Sequence, residues 1–172
     1  MLFRSKQYIV CSHQGHVIGD VILFALEDDH FNLVGRPSVH NWVQFNCETG
    51  GYNATCIRDE RAAAQKGAVS RLAYRYQVQG PNALKVMEKM IGGPVGDVKF
   101  FKMATFKIAG KEVKALRHGM VGQPGFELFG PWADGEAIKD EIVKAGEEFG
   151  LRLVGARAYS DRKSTRLNSS HV

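Results

Sequence analysis

The chain has 172 residues, 44% of them apolar, and a formal net charge of +5. That length can bury the core of one domain or one and a half. No apolar run approaches a membrane span, and the opening residues do not read as a signal peptide. Three cysteines, Cys11, Cys47 and Cys56, show no CxxC spacing, which argues against a disulfide framework and a zinc site and for a reducing compartment, the cytoplasm.

In chain order, Leu2-Phe3-Arg4-Ser5 reads as translated sequencing-adapter DNA, so residues 1–5 are set aside from fold reasoning. Gln7 to Cys11 is a short apolar run, and Ser12 to His16 a turn. Val21 to Leu26 and Phe31 to Val34 read as two strands of a β-hairpin around the polar loop Glu27 to His30. Pro37 ends the second strand and holds Arg36 extended; Ser38 is then the expected cap of a helix with Trp42 and Phe45 on one face. Gly50-Gly51 breaks that helix, Tyr52 to Ile57 reads as a strand, and Arg58 to Ser70 as a surface loop and domain boundary.

Arg71 to Gln79 alternates, with Leu72, Tyr74, Tyr76 and Val78 on one face and Ala73, Arg75, Gln77 and Gln79 on the other. A helix from Ala83 to Met90 is expected to turn Leu84 and Met87 inward and to end at Gly92-Gly93-Pro94. Phe100 to Phe106 and Lys107 to Lys114 read as strands turning at Ala109-Gly110. Leu116 to Pro131 holds four glycines and two prolines, and reads as turns enclosing one short alternating run, Phe126-Glu127-Leu128-Phe129. Trp132 to Phe149 reads as a helix with Ala137, Ile138, Ile142, Val143 and Ala145 apolar, and Leu151 to Val154 as a short strand.

The tail Asp161 to Val172 is polar, lacks periodicity and again matches translated adapter DNA. Three of the five net charges lie in the two foreign ends, on Arg4, Arg162, Lys163 and Arg166 against Asp161, which leaves +2 for residues 6–160. A charge that small supports no nucleic-acid partner. The expected class is α+β: mainly antiparallel sheets with helices on one face, in a split βαβ order from Arg71 onward. Residues 6–66 would close a first α/β domain, and 67–160 would be an incomplete second one, truncated at both ends.

Few residues suggest chemistry on their own. There is no Walker loop, GxGxxG, GxSxG or HExxH motif. His13, His16 and Asp20 share a turn but lack a third ligand at sensible spacing, so no metal is expected. Glu127, an acid on a hydrophobic strand, is either an exposed edge-strand glutamate or a fixed acceptor for a ligand's N–H groups. Arg36, pinned by Gly35 and Pro37, offers a planar donor fork to a carboxylate or phenolate, or is a surface arginine. Gln77 lies on a polar strand face, and Tyr159 carries a hydroxyl able to donate to an ether or phenolate oxygen.

Several stretches resemble the folate-binding superfamily of the glycine-cleavage T-protein, the aminomethyltransferases. They are Gly15-His16-Val17-Ile18-Gly19-Asp20, Val78-Gln79-Gly80-Pro81, Gly119 to Glu127, and Ala145 to Leu151. A narrower likeness, to tetrahydrofolate-dependent O-demethylases of vanillate and syringate, lies in Val34-Gly35-Arg36, Asn41-Trp42, Thr49 to Asn53, Tyr76 to Pro81, Leu116 to Met120 and Val154 to Tyr159. The resemblance implies a T-protein-like folate-binding fold and tetrahydrofolate as the methyl acceptor. It implies that Glu127 binds the pterin ring, with Gln77 in the folate pocket, Arg36 in the aromatic-substrate pocket, and Tyr159 beside the substrate oxygens as the catalytic residue. The expected partners are small molecules only, an aromatic substrate and folate, with no nucleic acid and no membrane.

Aminomethyltransferases carry an essential aspartate near the region of Leu33 to Arg36, where this chain has no acid. That departure favours an uncharged aryl ether over a cationic amine. Another folate-dependent demethylase of the superfamily, or a folate-binding protein without turnover, are the alternatives. The chain by itself is expected to be inactive.

Overall fold

The structure is a computed structural model and describes residues 4–59, 71–119 and 122–155. It contains two antiparallel sheets. The first has the order β1-β2-β3, with β1 Arg4–Cys11, β2 Val17–Ala25 and β3 Phe31–Gly35. The second has the order β4-β7-β6-β5, with β4 Ala73–Gln79, β5 Met103–Ile108, β6 Lys111–Arg117 and β7 Gly125–Pro131. Helix α1 (Pro37–Thr49) follows β3, α2 (Ala83–Ile91) follows β4, and α3 (Gly135–Gly146) follows β7.

Side-chain parity sorts these elements into four layers. On β2, Val21 points to α1 and is buried with Val10 and Val39, while Phe24 points the opposite way and is buried with Met103, Leu116 and Phe129 of the second sheet. The second sheet's other face carries Tyr74, Val78, Val113, Ala115, Phe126 and Leu128, buried against Val86, Met87 and Met90 of α2 and Ile138, Ile142 and Ala145 of α3. The layers therefore run α1, first sheet, second sheet, then α2 with α3. This is the expected α+β arrangement, with helices on one face of each antiparallel sheet. The β5–β6 hairpin turns at Ala109-Gly110 as expected; both have positive φ, 49° and 76°, the conformation a tight two-residue hairpin requires.

Several expectations are corrected. Leu116 to Pro131 is not chiefly turns: Gly125–Pro131 is a seven-residue strand paired on both sides, to β4 and to β6. Two ladders outweigh the weak strand preference of its glycines and proline. Ser38 does not cap α1. Pro37 takes the first helical position, where its missing N–H costs nothing, so extended Arg36 is the N-cap. Trp42 packs against the Val39 cluster, but Phe45 is 59% exposed. Tyr52 to Ile57 and Leu151 to Val154 are not strands, since neither pairs with a neighbour among the described residues. In α2 the inward positions are Ala83, Val86, Met87 and Met90, one helical stripe, which leaves Leu84 on the outer side. In α3, Ala137 and Val143 are exposed. Ser5 lies in β1; it is buried, and its hydroxyl donates to the Phe101 carbonyl at 2.7 Å.

Candidate functional site

The site grows from the face of the second sheet that looks toward the first. Antiparallel register sets its residues in three rows. Gln77 of β4 is opposite Glu127 of β7, which is opposite Leu116 of β6. One row on, Arg75 is opposite Phe129, which is opposite Lys114. On the other side, Gln79 is opposite Gly125, whose carbonyl accepts the His118 N–H at 3.1 Å. Two of the four residues singled out in the sequence, Gln77 and Glu127, are thus direct cross-strand neighbours. β7 is an inner strand and the Glu127 side chain is only 13% exposed, so the edge-strand reading of Glu127 does not hold.

Glu127 has a partner that the sequence reading did not assign. Nη1 of Arg75 donates to its Oε1 at 2.7 Å, and the Arg75 side chain is 12% exposed. The Arg75 guanidinium carbon lies 4.9 Å from the Phe24 ring centre and 4.6 Å from that of Phe129. Those two rings meet edge-on with centroids 5.3 Å apart. A guanidinium over aromatic faces gains from the ring quadrupoles, and here one ring comes from each sheet. The sheet–sheet interface therefore fixes the arginine, and the arginine fixes the acid. The signal was legible in principle, because Arg75 shares the polar face of β4 with Gln77.

Gln77 is held as well. Its Nε2 donates to the His118 carbonyl at 2.7 Å, passing over β7 where Gly125 has no Cβ. A Cβ on Gly125 would lie 3.0 Å from that nitrogen and 2.8 Å from the Val78 carbonyl oxygen. The His118 ring rests edge-on against Phe101 at 5.3 Å. Burial lowers the pKa of His118, while the Glu127 carboxylate acts in the opposite sense. Two atoms of the Gln79–Gly125–His118 row, Gln79 Oε1 and His118 Nδ1, are buried without a hydrogen-bond partner, as is Nη2 of Arg75. Unpaired buried polar atoms are uncommon and costly, and three of them border the Gln77–Glu127 pair. His118 was not singled out in the sequence; its strand parity with Leu116 was the available signal.

Arg36 is exposed at the end of β3, with extended backbone at φ −82° and ψ 150°. No hydrogen bond or ion pair joins it to Gln77 or Glu127 among the described residues. Tyr159 lies outside the described residues. No group of three or more His, Cys, Asp or Glu side chains that could hold a metal is present among the described residues. No helix there is long and apolar enough to cross a membrane.

A family model described as the GCVT N-terminal domain matches residues 5–172. A syringate O-demethylase of Sphingobium sp. (strain NBRC 103272 / SYK-6) is 52% identical over 157 residues, which cover 91% of this chain and 34% of that protein. Aminomethyltransferases of Corynebacterium aurimucosum and Thermoanaerobacter pseudethanolicus are each 29% identical, over 96% and 87% of this chain and 43% and 39% of their own lengths. The chain spans well under half the length of the curated relatives it matches.

Proposed function

The chain belongs to the GCVT N-terminal domain family, and from that premise we propose that its full-length protein is a tetrahydrofolate-dependent O-demethylase of a methoxy-aromatic acid such as syringate or vanillate. The observation that carries this reading is the 52% identity to a syringate O-demethylase across 91% of the chain, against 29% to aminomethyltransferases. The free thiols of Cys11, Cys47 and Cys56 support a cytoplasmic setting.

The residues of the site fit a reduced pterin. With one oxygen on Arg75, the Glu127 carboxylate keeps acceptor capacity for ring N–H groups, since a carboxylate offers about four lone-pair sites. The unpaired Gln79 Oε1 and His118 Nδ1 in the next row add polar atoms for the same ring edge. Bound tetrahydrofolate supplies N5, the nitrogen that takes the methyl group. In this reading Glu127 and Gln77 hold the ring in register, which is a positioning task. Arg36 pairs with the substrate's anionic ring substituent. Tyr159 donates a hydrogen bond to the ether oxygen as it becomes a phenolate, where charge develops.

The test is incubation of the full-length protein with tetrahydrofolate and syringate or vanillate. Stoichiometric 5-methyltetrahydrofolate and the free phenol support the reading. Turnover only with an aminomethyl donor, or folate binding without any methyl product, overturns it.

A further inference from the structure

Neither the sequence patterns nor the family resemblance gives Arg75 a role, yet it is the most completely surrounded charged group of the candidate site. Its Nη1 bonds the Glu127 carboxylate at 2.7 Å, both side chains are nearly out of solvent, and two phenylalanine rings from different sheets enclose its guanidinium. As an adhesive such an arrangement is poor: desolvating two charges offsets most of their attraction, and a well-packed apolar side chain between the same rings often serves stability as well or better. What the arginine adds is direction and charge balance. With Oε1 tied down, the terminal torsion of Glu127 is no longer free to turn, so its second oxygen has a fixed place. Because the pair is neutral overall, it presents hydrogen-bond acceptors without an uncompensated negative charge.

We propose that Arg75 is a positioning residue for Glu127, and that the neutral pair presents fixed acceptors to an uncharged planar ring with neighbouring N–H donors. The inference rests on Glu127 being the ligand's acceptor, as read above. Arg75 touches the acid rather than the reacting atoms, so its loss should appear in ring binding and not in recognition of the aromatic substrate. Nη2 of Arg75, buried and without a partner, is the donor left over from this arrangement.

The experiment uses the full-length protein as wild type, Arg75→Met and Arg75→Lys, with tetrahydrofolate titrated calorimetrically, the KM for syringate measured, and folding checked by thermal unfolding and near-UV circular dichroism. The expected result for Arg75→Met is a folded protein whose Kd for tetrahydrofolate rises about tenfold or more, the size of a lost charge-assisted hydrogen bond. Its KM for syringate stays unchanged. Arg75→Lys, a point charge without the planar fork, shows a smaller rise in the same direction, and it carries the test should the methionine variant fail to fold. Adding Glu127→Gln to Arg75→Met costs much less than Glu127→Gln alone, because the two act as one unit. A lowered melting temperature with wild-type affinity for tetrahydrofolate, or equal loss of affinity for both ligands, overturns the inference and leaves the proposed activity standing. A wild-type protein that binds no tetrahydrofolate removes the ligand assignment of Glu127, and this inference with it.

Discussion

The side-chain amide of Gln77 reaches the main-chain carbonyl of His118 across the strand between them, at 2.7 Å, over Gly125. A side chain on Gly125 would meet three things at once: the Val78 carbonyl oxygen at 2.8 Å, the Gln79 Cβ at 2.9 Å and the Gln77 amide at 3.0 Å. The first belongs to the backbone and cannot turn aside. Gly125→Ala is therefore expected to cost about 1–3 kcal/mol of stability, the usual range for overpacking. It should also weaken tetrahydrofolate binding in the full-length protein by displacing Gln77. Urea unfolding and a binding titration check the two parts separately; wild-type values in both would mean that the strand yields without moving the amide.

The Arg75–Glu127 pair makes the choice of probe for the acid consequential. Glu127→Ala strands a guanidinium that is 12% exposed, and breaking a buried pair from one side costs about 3–5 kcal/mol. Glu127→Gln keeps an acceptor oxygen and the shape, and is expected to destabilise much less. Chemical denaturation of the two variants should rank them in that order by a clear margin. If the alanine variant matches the glutamine variant in stability, the ion pair is not held as the structure shows it.

Much of this was legible along the chain, and the failures have a common cause. Alternation in Arg71 to Gln79 and in Phe126 to Phe129 told correctly which residues share a face, because parity is local. It could not tell that the polar face of β4 is also covered, because Phe24 arrives from a strand about fifty residues away. That one tertiary contact turns Arg75 from a solvent-facing residue into the partner of Glu127. Tyr52 to Ile57 failed for the complementary reason: apolar and aromatic content suits a strand, but a strand exists only where a neighbour completes its ladder. Of the four site residues named in the sequence, register brings Gln77 and Glu127 together. Arg36 reached its extended, Pro-restricted conformation, and its role, like that of Tyr159, rests on the family resemblance.

Tyr159 carries the chemical step in the proposed reading, so its removal should separate from that of Glu127 in kinetics. Tyr159→Phe in the full-length protein is expected to lower kcat about 100-fold, the loss seen when a donor to a developing negative charge is removed, with tetrahydrofolate affinity unchanged. Glu127→Gln is expected to raise the Kd for tetrahydrofolate with a smaller effect on kcat at saturation. Parallel losses of binding and turnover in both variants would sink the division of roles.

Two tyrosines on one strand face should respond oppositely to the same substitution. The Tyr74 ring is fully buried, its hydroxyl has no hydrogen-bond partner, and burial pushes its pKa up to about 12. The Tyr76 hydroxyl, on a ring stacked against it at 5.3 Å, donates to the Gly135 carbonyl at 3.1 Å. Removing an unsatisfied buried hydroxyl relieves a desolvation penalty, whereas removing a bonded one loses about 0.5–1.5 kcal/mol. Tyr74→Phe is thus expected to leave the melting temperature level or raise it, and Tyr76→Phe to lower it. Equal losses in both variants would mean that the Tyr74 hydroxyl has a partner in solution.

His118 makes stability depend on pH in a window of its own. Burial lowers its pKa below the ordinary 6.5, and the nearby Glu127 carboxylate only partly offsets that. Between the folded and unfolded values, the unfolded chain holds the extra proton, so stability rises with pH across that interval. The contribution is fully present above 6.5 and drains away as pH falls from there toward the lowered folded value. The informative quantity is the difference between wild type and His118→Gln, in which contributions from the rest of the chain cancel. Urea midpoints measured from about pH 7.5 down to about pH 5 bracket the histidine range, and should fall more steeply for the wild type than for the variant. The two curves should run parallel at the alkaline end. Parallel curves throughout would show that His118 takes up its proton as readily in the folded protein as in the unfolded chain, and that its place between Phe101 and Glu127 does not exclude the charge.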